Sequence, residues 1–347
     1  MHLCELSTNS IDPLSIILSF VSMSTNKDST SANELSTVVS YALLYQSLSA
    51  SKAELGGKSS QNKSNSFWQN DEWTADDVCQ AEMLLKQNEP KCSVTPQRVQ
   101  FYEKEAAKSW DIFYQHHGTK FFNDRHYLSK AFPLEFADTD DNHIHSSTKG
   151  PRSLVEIGCG VGNNILPLLE HNSNWRIWGY DVSKVAIALM QQDPRFDSSR
   201  VTAGVWDIAS TDPAPITAVS DVCTLLFCLS AISPEKMKTA VCNVAATLRP
   251  GGVLVFRDYG RFDEAQLKLG VQRAKRLGEN FYVKSDGTRC FYFELDDLKA
   301  LFSTHAGLEV LELKHIRRIY QNRAKDEQRR RVWVQGRFRK PDSGDTK

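Results

Sequence analysis

Arginine is missing from the first 97 residues of this 347-residue chain; the first is Arg98. Mitochondrial transit peptides are rich in arginine, so its absence argues against one. No apolar run reaches bilayer length. The best candidate, "IDPLSIILSFVSM" (Ile11 to Met23), is too short and too interrupted to span, has no basic stretch ahead of it, and carries Asp12 and Pro13. There are eight cysteines but no C-x-x-C pair among them, and several sit inside apolar runs. That pattern excludes a disulfide frame or a zinc site and fits reduced, buried side chains; no metal is expected. Net charge is also absent, with 42 Lys and Arg against 42 Asp and Glu, so the total argues neither for nor against an acidic partner. Cytosol is the expected compartment, with nuclear and mitochondrial pools left open, and no membrane partner is expected.

From Met1 to about Asn65 aromatics are few, no apolar period is visible, and Ser, Asn and Thr dominate. Such a stretch buries too little apolar surface to offset its ordering entropy, so residues 1–65 are expected to form a disordered low-complexity tail. Within it "STVVSYALLYQSLS" (Ser36 to Ser49) has the pattern of a transient helix. The composition then changes. In "FWQNDEWTADDVCQAEMLLKQ" (Phe67 to Gln87), Thr74 followed by Asp77 marks a helix start. A second helix is expected from about Pro96 to His116, where Phe101, Ala106 (or Glu105), Trp110 and Phe113/Tyr114 recur at helical spacing. Spacing alone reads that aromatic stripe as core packing. "FFNDRHYLSKAF" (Phe121 to Phe132) and a polar loop from Ala137 to Gly150 complete a region at 66–150.

A last region, 151–340, alternates strands with helices. Strands are expected at Ser153–Ile157, Arg176–Tyr180, Val201–Trp206, Asp221–Cys228 and Gly252–Arg257, and helices at Asn163–His171, Lys184–Gln192 and Pro234–Leu248. This implies an α/β fold with a parallel sheet covered on both faces. A basic helix at Asp263–Leu277, a helix at Leu295–His305, and a final antiparallel pair near Leu308–Ile319 and Arg331–Arg339 would follow.

The chemistry starts at "SLVEIGCGVG", a strand that runs into Gly158, Gly160 and Gly162. Glycines there let the backbone approach a ligand, with the N–H groups of the next helix facing it. A dinucleotide site wants G-x-G-x-x-G, and here the third glycine comes one residue early. Glu156, two residues ahead of the first glycine, suits a pyrophosphate poorly and the cationic amino group of S-adenosylmethionine well. Asp181 closes the second strand, where a carboxylate accepts from both ribose hydroxyls. Asp207 closes the third, in reach of an adenine amino group, with Ile208 for ring contact. Both aspartates also read as caps of the helices that follow, and the two roles are compatible.

At these residues the sequence resembles the methyltransferase-like enzymes that make 3-methylcytidine in tRNA. The resemblance rests on "WDIFY" (Trp110 to Tyr114), "FFNDRHY" (Phe121 to Tyr127), "EIGCGVGN" (Glu156 to Asn163), "LLFCLSAI" (Leu225 to Ile232), "FRDYGRFD" (Phe256 to Asp263), "GENFYVKSDGTRCFYF" (Gly278 to Phe293) and "RVWVQGRF" (Arg331 to Phe338). Tyr127 stands where the family usually has tryptophan, an aromatic for an aromatic. The resemblance implies a class I S-adenosylmethionine-dependent methyltransferase: Rossmann-like, with a mostly parallel seven-stranded sheet and an antiparallel last strand. It implies cofactor contacts from Trp110, Tyr114, Gly158, Asp181, Asp207 and Leu226, with the region 66–150 acting as a helical lid and tRNA-binding element. The family acts on the cytidine at position 32 of the anticodon loop in serine-, threonine- or arginine-accepting tRNAs. "RRIYQNRAKDEQRRRVWVQGRF" is closer to the threonine/arginine branch.

Neutral cytosine N3 carries an in-plane lone pair and needs no general base to attack a sulfonium methyl group. Alignment and desolvation then do most of the work, with a group that tolerates the new positive charge. Asp258, Arg125 and Tyr259 are the expected catalytic set, Asp258 as the carboxylate that meets that charge or the cytosine amino group. Its alternative is a salt bridge with Arg257 or Arg125. The residues expected to meet RNA are Arg125, His126, Tyr127, Phe227, Arg257, Arg329 and Arg330, with Phe227, Tyr259 and Tyr127 stacking on an extruded base. Arg249 to Lys340 holds roughly twenty basic residues against about a dozen acidic ones, a regional excess suited to phosphate. An RNA partner is therefore expected, with an aminoacyl-tRNA synthetase or another helper as a further candidate. A protein or small-molecule methyltransferase, or a silent RNA-binding relative, are the competing readings.

Overall fold

The structure, a computed structural model, describes residues 66–136, 151–171, 174–322 and 327–342. The expected tail at 1–65, its Ser36–Ser49 helix and the loop at 137–150 lie outside the described residues.

Five parallel strands form the centre: β2 (Arg152–Ile157), β3 (Trp175–Asp181), β4 (Val201–Val205), β5 (Ser220–Leu226) and β6 (Leu248–Tyr259). Alternate residues of β2 feed opposite layers. Leu154 packs with Ile165, Ile177 and Val255, while Val155 and Ile157 pack with Val241, Leu254 and Phe256. Both faces are therefore dry, as the uninterrupted apolar strands require. Leu154 is fully buried, and truncating it to alanine would cost about 2–5 kcal/mol. In β6 the "RPGG" turn bulges out, so that Ser220 pairs with Leu248 and Val222 already with Val253.

The last two strands, β10 (Glu309–Asn322) and β11 (Glu327–Arg339), pair antiparallel, and β11 lies between β10 and β6. The expected seven-stranded sheet gains an eighth member at this edge. β1 (Ser66–Asn70) pairs antiparallel with β10, giving the order β1-β10-β11-β6-β5-β2-β3-β4. No strand is expected over "SFWQN" from its sequence, and the helix that follows it begins at Ala75. Thr74 and Asp77 there form the expected capping box, and the helix runs to Cys92.

Two further expectations need correction. The basic helix expected at Asp263–Leu277 stops at Gly270, which packs against Leu85 of the Ala75–Cys92 helix. Beyond it the chain builds a second, three-stranded sheet from β7 (Arg276–Gly278), β8 (Phe281–Val283) and β9 (Arg289–Phe291). The single helix expected at Pro96–His116 is two, Pro96–Lys104 and Ala106–His117, jointed at Glu105. No helix among the described residues is long and apolar enough to cross a membrane.

Candidate active site

A cavity of about 1680 Å³ opens at the C-terminal ends of the parallel strands. This exceeds the roughly 300–1,000 Å³ usual for a small-molecule pocket. The cavity has two differently built halves.

The first half is the glycine loop. Gly158 and Gly160 hold φ of 69° and 54°, which L side chains rarely adopt. A Cβ on Gly158 would stand 2.5 Å from the Sγ of Cys228, and one on Gly160 would stand 2.5 Å from the Tyr114 hydroxyl. The loop is fastened by Asp181, whose Oδ2 accepts from the Gly160 N–H and Oδ1 from the Ser183 N–H, both at 2.8 Å. Burial pushes its pKa up to about 6, against the lowering effect of those donors. The helix after β3 is capped by Ser183, not by Asp181: the Ser183 hydroxyl accepts from the Ala186 N–H.

Glu156 is 2% exposed, accepts from Asn164 Nδ2 at 3.2 Å, and is pushed up to about 7 by burial, with Arg125 partly opposing that rise. Asp207 is exposed on the cavity wall. Its Oδ1 accepts from the Ala209 N–H, while Oδ2 has no partner among the described residues. Ile208, Leu226 and Gly160 line the same half, and Gly162 packs against Met190 behind it.

The helix Ala106–His117 covers this half. Phe113 and Tyr114 are buried against Val161 and Ala186, while Trp110 and Tyr114 also line the cavity. The aromatic stripe is thus core on one side and cavity wall on the other; Phe101, its first member, is exposed.

The second half is aromatic and cationic. Phe227 follows β5 with φ of 56°, an uncommon value for a non-glycine, fixed by its N–H to the Arg257 carbonyl at 2.7 Å. Its ring lies 5.1 Å from that of Tyr259 and 5.5 Å from the guanidinium of Arg125. Arg125 donates to the Leu226 carbonyl, so it links the two halves. Tyr127, Trp333, Lys284 and Arg331 complete the wall.

Several expected residues fall elsewhere. Asp258 is fully buried and does not line the cavity. Its Oδ2 accepts from the Ser230 N–H and its Oδ1 from the Tyr259 N–H, and burial raises its pKa to about 6. It holds the ends of β5 and β6 in place; it lies off the cavity wall and pairs with neither Arg257 nor Arg125. Arg257 lies outside the wall, bonded to Gln335 and packed on the rings of Tyr127 and Phe132. His126 is exposed and stacks on His171. Arg329 is exposed on β11, but Arg330 is 4% exposed and its N–H donates to Glu264, so its side chain is not on an open surface.

Residues the motifs did not single out include Glu103, Asp111 and Lys284. Glu103 pairs with Arg289 of β9 and, at 2.6 Å, with Lys236, so the Pro96–Lys104 helix is pinned to both sides of the cavity. Asp111 stands inside "WDIFY", directly after Trp110, and that was the available signal.

A strand-end carboxylate, a glycine loop that no side chain can enter, and a second carboxylate one strand away define the nucleoside-cofactor site of a methyltransferase. A family model described as "Methyltransferase domain" matches residues 155–254. S-adenosylmethionine is the cofactor: Glu156, Gly158, Gly160, Asp181, Asp207 and Ile208 are the residues that would hold it. The relatives narrow this further. The chain is 37% identical over 303 residues to tRNA N(3)-cytidine methyltransferase METTL2 of Danio rerio, covering 79% of this chain and 84% of that protein. It is 38% identical over 279 residues to tRNA N(3)-methylcytidine methyltransferase Mettl2 of Drosophila melanogaster, covering 79% and 83%. It is 34% identical over 277 residues to tRNA N(3)-methylcytidine methyltransferase trm140 of Schizosaccharomyces pombe, covering 79% and 86%. The chain belongs to the tRNA N(3)-cytidine methyltransferase family.

Proposed function

We propose that this enzyme methylates N3 of cytidine in tRNA, at position 32 of the anticodon loop, in a threonine- and arginine-accepting subset. The observation that carries this reading is the two-part cavity: a carboxylate-and-glycine half for the cofactor opens directly onto an aromatic, cationic half suited to an extruded base. S-adenosylmethionine supplies an electrophilic methyl group. The chain's own residues align and exclude water. Ionised Glu156 accepts from the cofactor's amino group, Asp181 from its ribose, and the Trp110–Tyr114 face closes over it.

Phe227 and Tyr259 offer ring faces to the cytosine. As N3 is alkylated the base becomes cationic, and aromatic faces stabilise a cation without competing for the methyl group. That assigns the charge-tolerating role to these rings, since Asp258 is fully buried off the cavity wall. A cytoplasmic location and a helper protein such as an aminoacyl-tRNA synthetase accompany this reading.

The test is methyl transfer from labelled cofactor to purified tRNAs, followed by mass spectrometry of the nucleosides. The expected product is 3-methylcytidine in threonine- and arginine-accepting tRNAs. Label found only in protein or in small molecules would overturn the reading.

A further inference from the structure

Lys284 stands where β8 enters a tight turn, "KSDGT". The turn is stiff: the Lys284 N–H donates to the Thr288 carbonyl at 2.8 Å, and Thr288 donates both N–H and hydroxyl to Asp286 Oδ1 at 2.9 and 2.7 Å. From this base the half-buried side chain lines the cavity and sets its ammonium 5.6 Å from the Tyr259 ring centroid. Among the described residues no carboxylate oxygen comes within 4.0 Å of it. Asp286 has given Oδ1 to its own turn, and Asp258 has given both oxygens to backbone donors. Burial works against the charge, but Tyr259, Cys290, Asp286 and Asp258 outweigh it and keep the pKa above that of an ordinary lysine. With no carboxylate closing on it as an ion pair among the described residues, the charged ammonium is left facing the cavity, open to an anion supplied from outside.

Arg331 adds to the same field. Its guanidinium lies 5.7 Å from the Tyr259 ring and 5.9 Å from that of Trp333, with Nε held by Asp263 at 2.8 Å.

Position identifies the anion. The cofactor residues lie at the ends of β2, β3 and β4, whereas Tyr259 ends β6, two strands from β2 across β5. At about 4.8 Å per strand, that sets the end of β6, where the Lys284 ammonium meets the Tyr259 ring, roughly 10 Å along the sheet from the end of β2 and its glycine loop. The ammonium therefore belongs to the substrate half. A bare ammonium beside the base would oppose the positive charge that N3 gains, whereas one neutralised by a phosphate would not.

We propose that Lys284, with Arg331 beside it, holds the backbone phosphate adjacent to the target cytidine and so positions the extruded nucleotide. This rests on the reading of the chain as a tRNA cytidine methyltransferase. The test pairs Lys284→Met and Lys284→Arg with anticodon stem-loop RNAs that carry one neutral methylphosphonate linkage at each position around the target. With unmodified RNA, Lys284→Met should raise KM about tenfold, Lys284→Arg should recover most of the loss, and cofactor affinity by calorimetry should be unchanged.

One linkage next to the target should weaken wild-type binding about tenfold and leave Lys284→Met unaffected. If the wild type and Lys284→Met lose equally at every linkage, the phosphate assignment fails while the enzyme's reaction stands. If Lys284→Met lowers kcat with no linkage coupled to it, the lysine meets the base and the assignment also fails. A wild type that binds these RNAs without methylating them would instead count against the proposed reaction, and the linkage scan would still read the phosphate contact.

Discussion

The Ser183 hydroxyl donates to Asp111 Oδ1 across 2.7 Å, a bond that joins the helix over the cavity to the first turn of the helix after β3. The same carboxylate oxygen accepts from the Val185 N–H at 3.3 Å, while Ser183 caps that helix and donates its own N–H to Asp181. One chain of hydrogen bonds thus runs from the lid to the cofactor carboxylate. Asp111→Ala removes both bonds and should weaken cofactor binding about 5–13-fold, the equivalent of about 1–1.5 kcal/mol, most of it from the shorter bond to Ser183. Asp111→Asn keeps an acceptor and should bind nearly as wild type. Calorimetry on the three proteins decides; equal affinities would show that the lid closes without this tie.

The raised pKa of Glu156 gives opposite pH trends for stability and for binding. In the unliganded protein its folded-state pKa is about 7 against 4.5 for the ordinary group. The fold therefore holds a proton that the unfolded chain releases between those values. Its contribution favours the fold at the acid end of that window and is lost as pH rises towards 7. Asp181 and Asp258, each raised to about 6 from 3.8, act in the same direction. Cofactor binding needs the ionised carboxylate, so affinity should climb as pH rises from 6 to 7.5. Glu156→Gln should bind weakly and flatten that climb, leaving a shallow slope below pH 6.5 from Asp181. A wild-type affinity that is level across this range would remove Glu156 from the amino-group site.

β1 sets a sharp limit on truncation from the N-terminal side. Deleting residues 1–65 leaves Ser66–Asn70 paired with β10, and in vitro methylation should be essentially unchanged. Deleting five residues more strips β10 of its edge partner and removes Trp68 from its ring contacts, 5.2 Å to Tyr320 and 5.6 Å to Trp333. The longer deletion should cost about 2 kcal/mol, or roughly 4–8 °C in Tm. Thermal melts and methylation assays of both truncations check this. Activity lost already at residue 65 would assign the preceding segment a part in catalysis or folding.

The sheet and its ligand loop were legible because each carries its own local signal. Short apolar strands, the Gly158–Gly160–Gly162 spacing and the acids at the strand ends need no distant partner to be recognised. β1 was not legible, because "SFWQN" becomes a strand only by pairing with residues 318–322 at the far end of the sequence. The small β7–β9 sheet was hidden for a related reason: its strands have three residues each, too short for a period to show. Asp258 looked like a pocket carboxylate because it stands beside Tyr259 at a strand end. Alternation along β6 turns Tyr259 to the cavity and Asp258 away from it, where Ser230 supplies its donor.

The same alternation divides the arginine run of β11. Arg329, Arg331 and Trp333 share one face, whereas Arg330 and Val332 share the other, and Arg330 is buried with its N–H on Glu264. Changing Arg329 and Arg330 together would therefore mix a surface effect with a structural one. Arg329→Ala alone should weaken tRNA binding and flatten the slope of log affinity against log salt by roughly 0.7–0.9, the value of one phosphate contact. It should leave cofactor affinity and Tm unchanged. Arg330→Ala should lower Tm instead, because it opens a space in a buried layer. Titrations at several salt concentrations, with melts of each variant, separate the two. If Arg329→Ala runs parallel to wild type at equal height, the RNA path lies elsewhere, and Lys268, Arg273, Lys275 and Arg276 are the next residues to change.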